Sequence, residues 1–305
     1  MNDITKELLR LVSDWNGEFQ GAYNLRVDGC GAGRKSSEHI QILSKEDKPG
    51  LDIHIAPGTT GESVSIPACV THGDLDDLVY NDFYVGEGAD VTIVAGCGVH
   101  TETGEPARHN GIHRFFLAKN SKVRYIEKHV GTGKGAGIRS IDPVTEAELE
   151  ENATLEMDTS QIGGVDRTHR KTAAKLAAGA KLLIRERILT EGNQTAVTDF
   201  QVELNGADSG VDLISRSVAK DHSHQSYRSV IIGNAPCSGH SECDAILSGN
   251  GKVDAAPELR ACHEDAALIH EAAIGKIAGE QILKLRTLGL SEKEAEATII
   301  EGFLQ

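Results

Sequence analysis

Short alternations of apolar and polar residues, each introduced by glycine or asparagine, recur through most of the chain. They include Gly88-Ala89-Asp90-Val91-Thr92-Ile93, Asn120-Ser121-Lys122-Val123-Arg124-Tyr125-Ile126, Gly179-Ala180-Lys181-Leu182-Leu183-Ile184 and Gly206-Ala207-Asp208-Ser209-Gly210-Val211. A period of two is the pattern of a strand with one buried face. Toward the C-terminus, turns at Gly239, Gly251 and Asp265 tighten the punctuation to roughly 15 residues, a spacing that predicts the stacked rungs of a β-solenoid. The ends follow a different period. Ile4, Leu8, Leu11, Val12 and Trp15 fall at helical spacing before Gly17. Ile274, Ile277, Ala278, Ile282, Leu285 and Leu288 form one stripe stopping at Gly289, and Ser291 with Glu294 makes a capping box for a second helix carrying Ala295, Ile299, Ile300 and Phe303. The expected fold is mainly β: a short N-terminal helix (1–17), a β-helix core (18–273) and a C-terminal helical hairpin (274–305). The hairpin reads either as a cap protecting the sheet edges or as a docking face for a partner. Two stretches interrupt the pattern. Asp142 to Glu151 is acidic and reads as a solvated loop or short helical turn, and alanine-rich Thr172 to Ala178 as helix or tight rungs.

Composition narrows the function. Aromatic residues are 4% of the chain and glycines number 33, which suits a coiled sheet filled by small aliphatic side chains better than a helical bundle. Asp and Glu number 46 against 31 Lys and Arg, a formal charge of -15 that disfavours a nucleic-acid footprint. No apolar run is long enough for membrane insertion, and the expected location is cytoplasmic. Six scattered cysteines without a secretion signal are expected to be free thiols.

Candidate chemistry is uneven along the chain. In Val130 to Gly137 the positions where a P-loop needs Gly and Ser or Thr around Lys134 are held by Lys128 and Gly135, so the segment reads as a flexible glycine loop and ATP hydrolysis is assigned to another chain. Cys97 lies between Gly96 and Gly98 with His100, His109 and His113 following. Glycine neighbours would leave the thiol little steric protection and an imidazolium would favour its thiolate; the alternative is a small buried residue at a solenoid corner. Cys237, His240 and Cys243 do not match a zinc pattern, and Gly239 is expected to break the strand between the two cysteines. His222 and His224 read as a polar face, and Cys30, Cys69 and Cys262 as small hydrophobes. Cys243-Asp244 followed by His270-Glu271 sets thiolate, imidazole and carboxylate in a glycine-punctuated β region, a donor set suited to iron with sulfide or to zinc. With six Phe, five Tyr and one Trp, a sugar-stacking groove of a β-solenoid carbohydrate enzyme has thin support.

Several of these segments, in order, resemble the SufB/SufD family, the scaffolds of SUF iron–sulfur cluster assembly. The match runs through Asp212-Leu213-Ile214-Ser215-Arg216-Ser217-Val218, His224-Gln225-Ser226-Tyr227-Arg228, Cys243-Asp244, His270-Glu271-Ala272, Gly275-Lys276-Ile277, Gly289-Leu290-Ser291 and Gly302-Phe303-Leu304. A second group, Ala95-Gly96-Cys97, His113 and Lys122-Val123-Arg124-Tyr125, extends the similarity back to about Gly86. The resemblance implies a non-enzymatic scaffold with a β-helix core, dimerising through that core. Its C-terminal helices would bind a SufC-like ABC-type ATPase, and sulfur would come from a cysteine desulfurase or another donor. It further implies that Cys97 receives sulfur and that Cys243, Glu271 and His270 hold a transiently assembled iron–sulfur cluster and its metal; a flavin is left unassigned. The chain is shorter than usual members, lacks most of their N-terminal region and has Leu268 where SufD has a cysteine. Because SufB-type Cys and Glu and the SufD-type His share one polypeptide, a homodimer is the expected assembly. Its two protomers would each contribute one of the adjacent, oppositely facing His270 and Glu271. The alternative reading is a subunit or adaptor of an ABC-type ATPase or transporter without metal chemistry.

Overall fold

A residue in the left-handed conformation stands before most strands of the repeating body: Gly88, Asn120, Asn152, Gly179 and Asp208 at one corner, with φ between 58° and 68°. Glycine, asparagine and aspartate reach this region at low cost, which is why these residues punctuate the alternation. The computed structural model describes residues 1–305. Successive strands alternate between a sheet of 11 strands and a sheet of 10, and almost all neighbours within a sheet are parallel, so the chain coils as a β-solenoid. Lys122 pairs with Asp90, 32 residues earlier, whereas Cys237 pairs with Ser209, 28 residues earlier, so the rungs shorten along the chain. Antiparallel hairpins, Ala22–Val27 with Cys30–Lys35 and Ile40–Ser44 with Gly50–Ile55, close the N-terminal end.

Several expectations change on folding. The acidic stretch contains a strand, Val144–Leu149, in which Thr145, Ala147 and Leu149 are buried while Glu146 and Glu148 face water. Pro143, without an N–H to donate, separates it from strand Arg139–Ile141. Thr172 belongs to strand Arg167–Leu176, a rung and not a helix. Gly239 is no corner; it lies inside the unbroken strand Cys237–Leu247, where a Cβ would come 2.7 Å from Leu268 Cδ2. Nor is Val130 to Gly137 free: Gly135 N–H donates to Thr101 O (3.0 Å) and Gly137 N–H to Thr103 O (2.9 Å), stacking this segment on the loop of the preceding rung.

Helix α1 (Asp3–Ser13), capped by Asn2, buries Leu8, Leu9 and Val12, whereas Leu11 points to solvent. After strand Ala266–Gly275, which contains Ile274, come α2 (Gly279–Thr287) and α3 (Glu292–Phe303), the latter with the expected Ser291–Glu294 capping box. The apolar stripe read from Ile274 is therefore part strand, because alternation continues to the last rung before helical spacing begins. Ile300 and Leu304 pack on Val218 beside Leu189 and Ile246, residues at the ends of successive strands of the 11-stranded sheet. No buried residue lies in α2. The final strands, Lys252–Ala261 and Ala266–Gly275, have no further strand beyond them. No helix is long and apolar enough to cross a membrane.

Candidate assembly site

Parallel register turns each inward position into a column running along the solenoid. In the 11-stranded sheet one column contains Ala95, Glu127, Thr159, Glu186, Ser215, Cys243 and Ala272 in consecutive strands. Beside it on one side run Cys97, His129, Gln161 and Ile188; on the other, Tyr125, Met157, Ile184, Leu213, Ser241 and His270. One part of the lumen is thus aliphatic and aromatic, with Val91, Val123, Leu155 and Leu182 buried together, and another is polar. Both candidate cysteines lie where the two parts meet: Cys97 packs with Val99, Ala107 and Ile141 and Cys243 with the large apolar core, while each feels the charge of a glutamate of the polar column.

Cys97 is 4% exposed, and Gly96 and Gly98 are its cover's footing. On the outer face a Cβ at Gly96 would lie 2.2 Å from Val12 O, and one at Gly98 2.9 Å from Leu8 Cδ2. The glycines admit α1 and do not uncover the thiol, so of the two readings the exposed thiol gives way to the small buried residue. Burial, reinforced by the Glu127 charge, pushes the Cys97 thiol well above its ordinary range. Burial also lowers His129, its ladder neighbour, and takes His113 down to about 4, so neither supplies an imidazolium at neutral pH.

Directional hydrogen bonds cross the lumen near this thiol. Tyr125 Oη donates to Glu127 Oε1 (2.8 Å), so it accepts from His113 Nδ1 (2.7 Å), leaving His113 Nε2 to accept from Asn81 Nδ2 (3.3 Å). Arg170 donates through Nη1 to Glu127 Oε2 (2.5 Å), and its Nε lies 3.3 Å from Glu186 Oε1. Glu186 also accepts from Thr198 Oγ1 (3.1 Å) and Ser215 Oγ (2.9 Å). Burial opposes ionisation of both carboxyls. Arg170 nevertheless holds Glu127 well below its ordinary value, whereas at Glu186 burial prevails and raises it. One guanidinium is shared by two carboxyls whose proton affinities are driven apart.

Ser215 is the ladder partner of Cys243, so the polar column reaches the second cysteine. Cys243 is 1% exposed, and burial, then the charges of Glu186 and Asp244, push its thiol up to about 12. Counting strands, Cys97 and Cys243 stand five strand spacings apart, roughly 24 Å at about 4.8 Å each. His270, the partner of Ser241, lies on the inner side of the last strand, and its buried Nδ1 has no hydrogen-bond partner. Glu271 pairs with Glu242 on the outer side, where its carboxylate is 68% exposed and 3.6 Å from His240 Nε2. One chain therefore brings Cys243 and His270 to the inner face of the final rungs and sends Glu271 outward, as the adjacency of His270 and Glu271 demands. On that outer face, ligand atoms of His240, Glu242 and Glu271 lie within 4.8 Å of one another.

The remaining candidates separate. With no break at Gly239, Cys237 faces inward and joins the same core as Cys243, while His240 alternates outward, so the three do not converge. His222 occupies a turn and exposed His224 pairs with Asp254 (2.7 Å), a surface role. Cys69 is buried beneath α1, but Cys30 and Cys262 are exposed and are not core residues. Glu127, Arg170 and Glu186 were not singled out from sequence. Their signal is a charge on the apolar beat, as in Leu182-x-Ile184-x-Glu186-x-Ile188, which requires the strand phase to be known first.

Residues 81–303 match the family described as "SUF system FeS cluster assembly, SufBD core domain". An iron-sulfur cluster assembly SufBD family protein of Archaeoglobus fulgidus is 30% identical over 275 residues, covering 89% of this chain and 72% of the relative. A relative of the same description from Methanothermobacter thermautotrophicus is 29% identical over 261 residues, covering 84% of this chain and 62% of its own length. Another from Methanocaldococcus jannaschii is 27% identical over 292 residues, covering 94% and 86%. The β-solenoid, its two lumen-facing cysteines and these similarities converge: the chain belongs to the SufBD family of iron–sulfur cluster assembly proteins.

Proposed function

We propose that two copies of this chain form a scaffold on which iron and sulfur are joined, working with a SufC-like ABC-type ATPase. The observation that carries this reading is that Cys97 and Cys243 face one lumen and are linked by its polar column, with Cys243 and His270 at the open end. Sulfur enters by thiol exchange through the cavity of about 280 Å³ that Cys97 lines with Arg26 and His109: Cys97 gives up its proton and takes the outer sulfur of a donor persulfide, becoming a persulfide itself, and the donor leaves as a thiol. A cysteine desulfurase is the natural class of donor. Sulfane sulfur needs two electrons to become sulfide, so a separate reductant completes the step.

The roughly 24 Å between the thiols rules out direct exchange between them. The polar columns supply a route, and Arg170 supplies positive charge along it. That route is packed shut at Glu127, Arg170 and Glu186, where the adjoining void is only about 10 Å³. Passage requires these side chains to part. ATP binding by a partner seated on α2 and α3 is a suitable cause, because Ile300 and Phe303 of α3 pack on the ends of lumen strands. At the open end, Cys243 and His270 of one protomer meet the second copy, whose Glu271 completes a thiolate, imidazole and carboxylate set for iron.

The test is anaerobic reconstitution with iron and sulfide of the chain purified with its ATPase. Wild-type protein is expected to show cluster absorption that Cys243→Ser loses; an unchanged cluster in that variant overturns the reading.

A further inference from the structure

The outer face of the last two rungs carries a second donor set, back to back with Cys243. Strand Cys237–Leu247 sends Glu242 outward and Cys243 inward, and strand Ala266–Gly275 sends Glu271 outward beside Glu242. Two carboxylates directly opposite one another on adjacent strands repel, and such pairs destabilise a sheet. The next outward pair, Arg216 and Asp244, brings one cation and another carboxylate. Asp212, the ladder partner of His240, adds a further carboxylate. The arrangement holds excess negative charge at fixed backbone positions.

The imidazole sets this apart from an ordinary acidic patch. His240 Nδ1 lies 2.8 Å from Asp212 Oδ1 and its Nε2 3.6 Å from Glu271 Oε2, an ion pair when the ring is protonated and a pair of donors open to a cation when Nε2 gives up its proton. In metal sites a carboxylate behind the histidine fixes the tautomer in this way. A separation of 3.6 Å is too long for a hydrogen bond. It suits two ligands sharing one ion, since nitrogen and oxygen donors bind at about 2.0–2.2 Å each. We propose that His240, Glu242 and Glu271 form a binding site for a divalent first-row cation of the iron(II) type on the outside of the solenoid. One imidazole and two carboxylates, with the solvent side open, leave coordination positions for water and offer no thiolate to select copper(I).

The site lies one strand thickness from the Cys243 thiol, and the strand carrying Glu271 is the unpaired edge. Its role as the place where iron waits before meeting sulfur rests on the assembly function above; metal binding itself does not. The experiment is anaerobic titration of the full chain with cobalt(II), then iron(II), followed by absorption and calorimetry. Cys243→Ser protein is expected to bind cobalt(II) at this outer site with visible ligand-field bands and no thiolate charge-transfer band in the near ultraviolet. His240→Ala/Glu242→Gln is expected to weaken binding at least about tenfold, and Asp212→Asn to weaken it less. Cys243→Ser is expected to keep the cobalt signal. Equal affinity in the His240→Ala/Glu242→Gln variant, or loss of the ligand-field bands in Cys243→Ser, overturns the proposal. Cluster reconstitution in Cys243→Ser reads the assembly function separately, so either idea can fail alone.

Discussion

Arg170 donates to Glu127 and lies against Glu186 inside the lumen, so a neutral replacement strands two carboxyls away from water. Breaking a buried ion pair from one side costs on the order of 3–5 kcal/mol. Arg170→Met is expected to lose about that much in urea unfolding, and a loss below about 1 kcal/mol would show that the carboxyls relax without it. His113 gives a pH signature. Its folded pKa is depressed from 6.5 to about 4 by burial, so the unfolded chain takes up a proton that the native lumen refuses. The contribution is complete above pH 6.5 and is lost as pH falls toward about 4, a change of roughly 3 kcal/mol. His113→Gln should flatten the unfolding free energy across that window, and an unaltered slope would assign it to other groups. At this scale the sequence was informative about identity and poor about environment. Cys97 stood out because glycines flank it, but those glycines serve α1. Cys243 and His270 fell on the inner face and Glu271 on the outer, a split that period-two alternation already required.

Elements were legible where side-chain alternation was strong. Strands at Asp90, Lys122, Lys181 and Ser209 follow the glycine and asparagine punctuation, and the capping box located α3. Val144–Leu149 was obscured because its outward residues are glutamates, so composition suggested a loop while the phase still encoded a strand. The start of α2 was misplaced because Ile274 satisfies both a strand and a helical stripe. Two predictions belong to this scale. Gly96→Ala puts a Cβ 2.2 Å from Val12 O, so α1 must lift, and limited proteolysis should cut within residues 3–13 far faster than in wild type. Resistance equal to wild type would mean that the strand absorbs the clash. Leu283, exposed on α2, is a candidate contact for the proposed ATPase partner. Leu283→Glu should weaken co-purification of that partner without changing thermal stability, whereas full retention would move the contact elsewhere.

At the scale of the whole molecule, the solenoid is closed at its N-terminal end by hairpins, carries α1 on its outer face, and is open at the other end, where both sheets finish in unpaired strands. Exposed edges invite pairing, and Ile269 on the last strand is exposed. Ile269→Lys is expected to shift the proposed dimer toward monomer in light scattering; an unchanged mass would place the protomer contact on another surface. The rung architecture could be read from spacing alone, but the division of the lumen into apolar and polar parts could not, because it depends on which distant columns meet across the interior.

Gly131, Gly133, Gly135 and Gly137 let one corner nest against neighbouring backbone, and a Cβ at any of them would come within 1.9–2.2 Å of a carbonyl oxygen. Layers there sit like the slats of a closed blind, with no clearance for even a methyl group. This corner should therefore rank among the stretches least forgiving of random substitution. A saturation survey would flag it as sharply as any reactive thiol, although its intolerance comes from thickness alone.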